Sequence, residues 1–365
     1  MTSVHKRNDN RIFEKQCKSL VEAGFSVTLI VNDGLLDEYI DGVNIISTRR
    51  TYKNRVVKLM CSQKELFKKA IEIDADIYHL HDPDLLFLGN KLIRLGKKVI
   101  FDSHESVPDQ IKEKEWIPKY LRNFISFMYY NLEKTSLKNY QGVISVSPQI
   151  VERLKLINPN TVMITNYPKI TNCKSTRKPQ KSICFAGTIN SEWNHIEILD
   201  AIQDIEDITY YLAGPADEIY LEKLKKHNSW HKVKYFGVLS YEKVKEIYSI
   251  SNIGMAINSS KQIKGIGTLG NTKIFEYMEV ELPMICSNYL LWEGILSEYK
   301  CGISVNPKNI NDIRYSILHI MNNQEEALEM GKNGRRAIEE KYNWESQKKI
   351  LIEFYNVIKG GSNEL

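Results

Sequence analysis

Short apolar segments alternate with helical patterns along nearly the whole chain of 365 residues, and this alternation limits the fold more than any other feature. The segments are four to six residues long and mostly lack alternating polar positions, which predicts strands buried on both faces. They fall at 26–31, 43–47, 76–80, 98–101, 142–146 and 161–165, and then at 182–186, 208–213, 232–236, 252–257, 283–286 and 302–305. Strands separated by helices predict parallel sheets in an α/β fold.

A polar stretch at 169–181, KITNCKSTRKPQK, separates the two series of strands. It predicts a linker between two doubly wound, Rossmann-like domains, one at residues 1–170 and one at 176–343. The helical patterns between strands include a long aromatic-rich one near 109–139 and another at 194–203. Polar residues follow the strands in both series, and ligands of such sheets bind beyond the carboxyl ends of the strands. We therefore expect a ligand site in a cleft between the two domains.

The composition predicts a globular protein of the cytoplasm. Hydrophobic residues make up 42% of the chain and charged residues 26%, as in ordinary folded proteins. No apolar segment approaches the ~20 residues needed to span a bilayer, and there is no secretory signal pattern. The six cysteines lack paired spacing, which argues against a disulfide framework and favours buried thiols.

Basic residues are concentrated in the first half of the chain. Residues 1–170 contain 26 Lys and Arg against 20 Asp and Glu, whereas the remainder contains 24 against 25. The segment 49–69 has eight basic residues and one acidic residue, Glu65, with apolar residues between them. It predicts a basic amphipathic helix whose cations face solvent or contact anionic lipid or a phosphate-bearing acceptor. Because no recognition motif accompanies it, nucleic acid is not an expected partner.

Two segments of the first half, IYHLHDPD and FDSHE, concentrate titratable side chains. His79 and His81 point to one face of a strand, which suits two zinc ligands, yet a histidine in a buried strand is more often hydrogen-bonded in the core. Asp82 and Asp84 imitate a D-x-D manganese motif, but the proline between them is typical of a turn, and Asp84 of a helix N-cap. We therefore predict no metal here and expect His81 and Asp82 to line the ligand site.

The segment GNTKIFEYM, residues 270–278, has a different pattern. Asn271 is expected to cap a helix whose first-turn amides are free to bind an anion. Lys273 and Glu276 are three positions apart and share a face of that helix. Such a helix would place a cation on phosphates and a carboxylate on sugar hydroxyls, and the alternative is an ordinary amphipathic helix with a Glu–Lys pair.

This segment resembles the nucleotide-sugar motif of the family 4 glycosyltransferases, which occurs in a variant N-x-K-x-x-E-Y-M before a Pro-hydrophobic strand. Similar segments follow one another along essentially the whole chain: D-x-R-I-F at 9–13, IYHLHDPD, FDSHE, SVS at 145–147, ITN at 164–166, AGT at 186–188, LAG at 212–214 and YNWE at 342–345. The last introduces a helix, 344–360, of the kind that crosses back to the first domain. The resemblance implies the two-domain GT-B fold and metal-independent transfer from a UDP- or GDP-linked sugar with retention of configuration.

The resemblance also implies roles for particular residues. His104 would face the transferred sugar and the reaction centre, and Glu276 would bind the ribose of the nucleotide. The diphosphate would be held by the turn with Gly187, Thr188 and Asn190 and by the helix start with Gly270, Asn271, Thr272 and Lys273. The expected acceptor-binding residues are Asp9, Arg11, His81, Asp82 and Glu105. Two alternatives stay open: Asp9 and Arg11 pair with each other, and His104 is a structural cap beside Asp102.

The chain departs from the family pattern at three places. The first glutamate of the usual pair is replaced by Thr268, which leaves the identity of the sugar open. The usual Arg and Lys after the second-domain glycine turn are missing, so Lys261, Lys264 and Lys273 are the candidates to neutralise the diphosphate. Residues 1–5 look like only the end of a first strand.

The predicted function is sugar transfer to a lipid-linked or growing surface glycan, such as a capsule, O-antigen or exopolysaccharide precursor. The protein would act in the cytoplasm, with peripheral contact to the inner face of the membrane through the helix at 49–69. Two alternatives remain at this point: a nucleotide-sugar 2-epimerase of the same fold, and a non-catalytic homologue that serves as a scaffold subunit.

Overall fold

The computed structural model describes residues 1–48, 55–114, 117–171, 181–259 and 265–360, with the backbone alone for 55–62. The chain forms two compact units. The first unit contains Met1–Asn166 and the C-terminal segment from Trp344, and the second unit is Tyr167–Asn343.

The first unit contains two sheets. Its strands are β1 (Val27–Val31), β2 (Glu38–Ile40), β3 (Val43–Ser47), β4 (Ile77–Leu80), β5 (Lys98–Ser103), β6 (Gly142–Ser145) and β7 (Thr161–Met163). The order is β1-β3-β2 in one sheet, with β2 antiparallel to β3, and β4-β5-β6-β7 in the other, which is parallel throughout. The six predicted strands are present, but β2 was not predicted because its three residues are exposed and form no buried apolar pattern.

Residues 1 and 2 lie between the two sheets of the first unit. The Thr2 amide donates to the Ile30 carbonyl at 3.0 Å, and the His81 amide donates to the Met1 carbonyl at 3.2 Å. The segment therefore pairs with β1 on one side and with the end of β4 on the other, as the end of a strand would. This position brings Thr2 and Ser3 to the polar carboxyl end of β4.

The helices of the first unit cover these sheets. A π-helical turn, Ile12–Cys17, continues into α1 (Lys18–Glu22), followed by α2 (Arg55–Ile73), α3 (Leu86–Arg94), α4 (Val107–Glu113), α5 (Lys119–Leu137) and α6 (Pro148–Lys155). The single long helix expected near 109–139 is wrong, because the chain forms α4 and α5 instead. Pro118 stands directly before α5, where it lacks an amide to continue a helix and disfavours helical backbone in the residue before it.

The second unit is built on one parallel sheet of six strands in the order β10-β9-β8-β11-β12-β13. These strands are β8 (Ser182–Ala186), β9 (Thr209–Ala213), β10 (Val233–Tyr235), β11 (Ile253–Ala256), β12 (Met284–Ser287) and β13 (Gly302–Val305). The helices are α7 (His195–Ala201), α8 (Glu218–Lys225), α9 (Tyr241–Ile250), α10 (Lys273–Glu279), α11 (Leu290–Tyr299), α12 (Ile310–Asn322) and α13 (Gln324–Glu340). Each predicted strand of this series is present within one residue at either end.

The chain passes from the first unit to the second at Asn166 and Tyr167, before the polar stretch at 169–181 that was predicted as the linker. The reason is aromatic packing, since the Tyr167 ring lies 4.7 Å from Phe275 and 5.4 Å from Tyr342, both in the second unit. Residues 172–180 of the polar stretch lie outside the described residues. The chain returns to the first unit in α14 (Trp344–Gly360), whose buried Trp344 and Leu351 pack in the core of that unit.

Candidate active site

The polar centre of the first unit is Asp102, which is fully buried at the end of β5. The Arg11 guanidinium donates to both of its carboxylate oxygens, at 3.0 Å from Nε and 2.9 Å from Nη2, and Gln16 Nε2 donates to Oδ2 at 2.7 Å. Burial by itself would raise the pKa of Asp102, but the adjacent Arg11 charge and the imidazoles hold it well below the usual range. Asp102 is therefore a buried anion whose charge Arg11 compensates.

Three imidazoles surround the same carboxylate. His79 Nε2, His81 Nδ1 and His104 Nε2 lie 3.8, 3.5 and 3.5 Å from Asp102 Oδ2. Within the part of the chain that the structure describes, none of these nitrogens has a hydrogen-bond partner. Burial lowers the pKa of His79 and lowers that of His81 to about 4, so both rings are neutral at pH 7. His79 Nδ1 also lies 2.8 Å from the Tyr355 hydroxyl of α14, in agreement with a hydrogen-bonded core histidine.

The ligand atoms of His79, His81 and Asp102 lie within 4.8 Å of one another, close enough to hold a metal ion. However, Asp102 Oδ2 already accepts hydrogen bonds from Arg11 and Gln16, which occupy its lone pairs. A divalent cation would also stand beside the Arg11 charge with one carboxylate between them. A cation at Oδ2 would therefore have to displace one of these hydrogen bonds. The absence of a metal stays a prediction.

Asp82 forms a second buried network at the end of β4. Its Oδ2 accepts from Thr2 Oγ1 and from the Ser3 amide, both at 2.6 Å. His5 bridges two carboxylates, with Nε2 3.3 Å from Asp82 Oδ1 and Nδ1 3.2 Å from Asp9 Oδ2. Hydrogen bonds to Asp82 and then to Asp9 raise the pKa of His5 to about 10, so it is charged at pH 7. Sequence reasoning missed His5, because only the fold brings it beside Asp82.

Asp84 does not cap a helix as expected. It lies inside a short 3-10 turn, Pro83–Leu85, which precedes α3, and its Oδ1 accepts from the Ser3 hydroxyl at 2.8 Å. The prediction failed because Ser3, 81 residues earlier in the chain, supplies the partner. Proline begins the turn as expected.

Asp9 and Arg11 do not pair with each other. Asp9 Oδ1 accepts from the Arg11 and Ile12 amides at 2.9 Å each, at the start of the π-helical turn, while the Arg11 side chain reaches Asp102. Among the predicted acceptor residues, Arg11 and Asp82 are buried in these networks, whereas Glu105 is exposed. His104 is half-buried and has its ring 5.4 Å from that of His5. Their predicted roles toward an acceptor or a sugar stay predictions.

In the second unit, Lys273 lies at the start of α10. Its ammonium donates to the Ala186 carbonyl at 2.7 Å and stands 4.7 Å from the Phe185 ring centre and 5.0 Å from that of Trp193. A Cβ at Gly187 would come within 2.1 Å of Lys273 Nζ, so the glycine leaves the space that the ammonium occupies. Burial lowers the pKa of Lys273. The cation is thus held against the turn after β8 by a carbonyl and aromatic rings.

Glu276 lies one helical turn after Lys273. Its Oε1 accepts from Thr272 Oγ1 at 2.7 Å, and its Oε2 accepts from the Tyr248 hydroxyl at 3.1 Å. Among the described residues the structure shows no ion pair between Lys273 and Glu276, so the alternative of an ordinary Glu–Lys helix is wrong. The reason is that the ammonium of Lys273 reaches the Ala186 carbonyl instead.

The other residues predicted to bind the donor differ in their hydrogen bonds and in their exposure. Asn271 Oδ1 accepts from the Lys273 amide at 3.2 Å, but the N-cap position of α10 is Thr272 and not Asn271 as predicted. Asn190 Oδ1 accepts from the Glu192 amide at 3.2 Å. Gly187, Gly270 and Thr272 are half-buried, and Thr188 is exposed. Lys261 and Lys264 lie outside the described residues.

Two further groups shape this site. A Cβ at Gly214 would come within 2.0 Å of the Gly187 carbonyl oxygen, so the close approach of the two strand ends requires a glycine with φ of +130°. Tyr248 comes from α9 and holds the Glu276 carboxylate. In the sequence, Gly214 can be recognised as a glycine directly after a predicted strand. Nothing in the sequence identifies Tyr248, because only the fold brings it beside Glu276.

Models of two glycosyltransferase families match the chain. Glycosyltransferase Family 4 matches residues 10–166, and Glycosyl transferases group 1 matches residues 168–337. A curated relative, an uncharacterized glycosyltransferase of Methanocaldococcus jannaschii, is 24% identical over 93% of each chain. The chain belongs to the family 4 glycosyltransferases and has the GT-B fold, as predicted.

Solved structures share this fold at low sequence identity. Sucrose-phosphate synthase of Thermosynechococcus elongatus is 17% identical with a TM-score of 0.77, covering 96% of this chain and 93% of that one. Anabaena HepE in complex with UDP and glucose is 11% identical with a TM-score of 0.69, covering 96% of both chains. WaaG, a glycosyltransferase involved in lipopolysaccharide biosynthesis, is 10% identical with a TM-score of 0.68, covering 96% and 95%.

No helix among the described residues is long and apolar enough to cross a membrane. The cysteines Cys17, Cys184, Cys286 and Cys301 are buried and unpaired, as expected for thiols in apolar segments. Residues 49–54 of the predicted basic helix lie outside the described residues, and the rest of the segment begins α2.

Proposed function

We propose that this glycosyltransferase moves a sugar from a UDP- or GDP-linked donor to a lipid-linked or growing surface glycan, with retention of configuration and without a metal. The observation that carries the proposal is a half-buried cation and a half-buried carboxylate on the first turn of α10, with the cation against the turn at Gly187. Lys273 and Glu276 stand one turn apart, and each is held by neutral partners. Neither charge is compensated by an opposite charge in these contacts, which leaves both for a ligand.

Lys273 supports binding of the donor diphosphate. An ammonium has three hydrogens, and the Ala186 carbonyl accepts one of them. Burial disfavours the charged form of Lys273, and an anion beside it would reverse that effect. Because Gly187 has no side chain, the ammonium lies against the backbone of the turn, so an anion bound to Lys273 would also meet that backbone. Lys261 and Lys264 are proposed to add further positive charge there.

Glu276 supports binding of the ribose. Each of its oxygens accepts one hydrogen bond from the protein and keeps a lone pair for a sugar hydroxyl. Thr272 and Tyr248 fix the carboxylate from two sides, so its orientation is set before a ligand arrives. HepE, which shares the fold, was crystallised with UDP and glucose. This supports UDP rather than GDP as the nucleotide of the donor.

His104 is proposed to face the transferred sugar. Its Nε2 lacks a hydrogen-bond partner among the described residues, and the Asp102 carboxylate oxygen Oδ2 lies 3.5 Å away. In the proposed reaction the acceptor hydroxyl attacks on the face that the diphosphate leaves, and a phosphate oxygen takes its proton. The protein then positions the reactants and stabilises charge.

The acceptor proposal rests on family similarity and on the basic first half of the chain. WaaG is involved in lipopolysaccharide biosynthesis, and it shares the fold. Residues 1–170 carry six more basic than acidic residues, which favours an anionic acceptor or a membrane surface in the cytoplasm.

The test is transfer and hydrolysis by purified protein across a panel of UDP- and GDP-linked sugars, with and without EDTA. We expect turnover of one donor, retention of the anomeric configuration in the product, and equal rates in EDTA. Loss of turnover in EDTA would refute the metal-free reaction. Interconversion of the donor sugar without an acceptor would identify a 2-epimerase instead.

A further inference from the structure

A cavity of about 310 Å³ opens on the second unit where β12 and β13 end. Asn288 directly follows β12 and Asn306 directly follows β13, so the cavity lies at the carboxyl edge of the sheet. The order β8-β11-β12-β13 places the end of β13 about 14 Å from that of β8, because neighbouring strands are ~4.8 Å apart. The cavity is therefore separate from the turn at Gly187, and its size is at the lower end of ordinary small-molecule sites.

Polar side chains line most of this cavity. They include Asn288, Glu293, Asn306, Asp312, Tyr315 and Ser316. Glu293 Oε1 accepts from the Ser304 hydroxyl at 3.1 Å, which leaves Oε2 for another donor. Among the residues that the structure describes, neither the Asp312 carboxylate nor the side-chain amide of Asn288 forms a hydrogen bond or an ion pair. The cavity thus offers carboxylate oxygens as acceptors and an amide as a donor.

Ser316 gives independent evidence that a polar molecule enters the cavity. It lies in α12 and is only 3% exposed, yet it lines the cavity. Its hydroxyl has no hydrogen-bond partner within the described ranges of the chain. A buried polar group without a partner costs free energy, and native proteins satisfy nearly all such groups. A hydroxyl of a bound molecule would supply the partner that the protein does not.

Tyr315 adds a flat apolar surface beside these polar groups. Its side chain is 71% exposed, and its ring stacks on that of His319 with the ring centres 6.1 Å apart. The stacking favours one orientation of the exposed ring. A sugar carries hydroxyls around the edge of its ring and C–H groups on its faces. It therefore fits a site that combines hydrogen-bonding groups with an aromatic face.

The charge of the cavity restricts the ligand further. Glu293 and Asp312 line it, and among the described residues no cationic side chain does. Lys308 and Arg314, which are close in sequence, each pair with a carboxylate outside the cavity. Phosphates and uronic acids would therefore be repelled. Two carboxylates are too few to enclose a divalent cation, and the group of three candidate metal ligands found in the described part of the chain lies in the first unit.

We propose that this cavity binds a neutral or amino sugar unit of a glycan, as a carbohydrate site separate from the donor turn. The inference rests on the proposed function, because a growing glycan acceptor supplies such a ligand. Asp312 and Glu293 would accept hydrogen bonds from sugar hydroxyls, and Tyr315 would lie against a face of the sugar ring. A glycan held here would stay on the protein between transfers, so long acceptors would be used better than short ones.

Saturation-transfer-difference NMR of the full-length protein with oligosaccharides tests this site. The probes are hexasaccharides of glucose, galactose, mannose, N-acetylglucosamine and glucosamine, with hexagalacturonate as the anionic comparison. We expect one of the neutral or amino glycans to bind and hexagalacturonate not to bind. The variant Asp312→Lys/Tyr315→Ala should bind that glycan about tenfold more weakly or worse. Ser316→Ala should weaken binding about twofold to tenfold, as expected for the loss of one neutral hydrogen bond.

The matched control is Glu329→Lys/Leu328→Ala, which changes an exposed carboxylate and an exposed apolar side chain on α13 and should bind as the wild type does. Circular dichroism and thermal unfolding check that each variant is folded. The cavity variant should also bind UDP or GDP as the wild type does, because the cavity is separate from the donor turn.

Equal glycan binding by the wild type and Asp312→Lys/Tyr315→Ala would overturn the proposal, and so would binding of none of the neutral and amino glycans. Preference for hexagalacturonate would overturn it as well. A wild type that binds glycan through this cavity but transfers no sugar would support this site and refute the proposed function, so the two failures are distinguishable.

Discussion

The two polar centres of the molecule differ in how their charges are satisfied. The centre in the first unit is crowded, with Asp102 held by Arg11 and Gln16 and surrounded by imidazoles. The centre in the second unit is sparse, with Lys273 and Glu276 held by a carbonyl and two hydroxyls. In the crowded centre the charged groups contact one another, whereas in the sparse centre the direct hydrogen-bond partners of Lys273 and Glu276 are neutral groups. A dense cluster of titratable residues is therefore a poor measure of how available they are to a ligand.

We expect the two centres to respond differently to mutation. Changes around Asp102 should appear first in the free energy of unfolding, because a buried ion pair that loses one partner leaves an unpaired charge. Changes at Lys273 and Glu276 should appear first in nucleotide affinity.

The substitution Asp102→Asn should destabilise the protein by about 3–5 kcal/mol, because it leaves the Arg11 guanidinium buried without a negative charge. Urea unfolding followed by circular dichroism measures the change. The control is Asp76→Asn, which removes an exposed carboxylate of the same unit and should change stability little. An effect of Asp102→Asn as small as that of the control would show that the first-unit cluster is not a structural network.

The substitution Gly214→Ala should destabilise the second unit by about 2–4 kcal/mol, because the new Cβ meets the Gly187 carbonyl oxygen and the backbone has φ of +130°. Gly187, with φ of +157°, is strained as alanine too, but its new Cβ meets the flexible end of Lys273, which can move away. We expect Gly187→Ala to weaken nucleotide binding about tenfold while changing stability less than Gly214→Ala does. The reverse order of the two stability effects would contradict the described positions of the strand ends.

The histidines of the first unit should give stability a dependence on pH. The pKa of His81 is about 4 in the folded protein, below its usual value, so its contribution is complete above about pH 6.5 and is lost as the pH falls toward 4. His5 behaves oppositely, since its pKa of about 10 makes its contribution complete below about pH 6.5 and lost as the pH rises toward 10.

We therefore expect His81→Asn to reduce the loss of stability between pH 7 and pH 5 by about 1–3 kcal/mol, measured by urea unfolding at both values. His5→Asn should destabilise the protein more at pH 6 than at pH 9.5. If the two variants changed stability by the same amount at every pH, the protonation states assigned to these rings would be wrong.

The sequence predicted most strands because a strand that is buried on both faces is a short continuous run of apolar residues. It missed β2, whose residues are exposed, and it joined α4 to α5 because the amphipathic pattern continues across the position of Pro118. The segment around Lys273 was identified from its motif. Its partners were not, since Ala186 and Tyr248 lie 87 and 28 residues away in the chain.

The cluster of charged residues and histidines around Asp102 also depends on contacts that the sequence does not reveal. The sequence indicated that the histidines and aspartates of IYHLHDPD and FDSHE would lie near one another at strand ends. It gave no sign that Arg11 would pair with Asp102, 91 residues later, or that Ser3 would bind Asp84. Likewise, the sequence shows the cations of the segment 49–69, whereas the burial of Leu66 in that helix is a property of the fold. The membrane contact predicted for this segment stays a prediction.

The central claim is that Glu276 and Lys273 bind the nucleotide part of the donor, and calorimetry with UDP and with GDP tests it most directly. We expect the wild type to bind one of them and Glu276→Gln to bind it about 10–100-fold more weakly, since hydrogen bonds to a charged group contribute about 1.5–3 kcal/mol. Glu246→Gln, an exposed carboxylate on α9, is the matched control and should bind as the wild type does. Unchanged affinity in a folded Glu276→Gln variant would contradict the account.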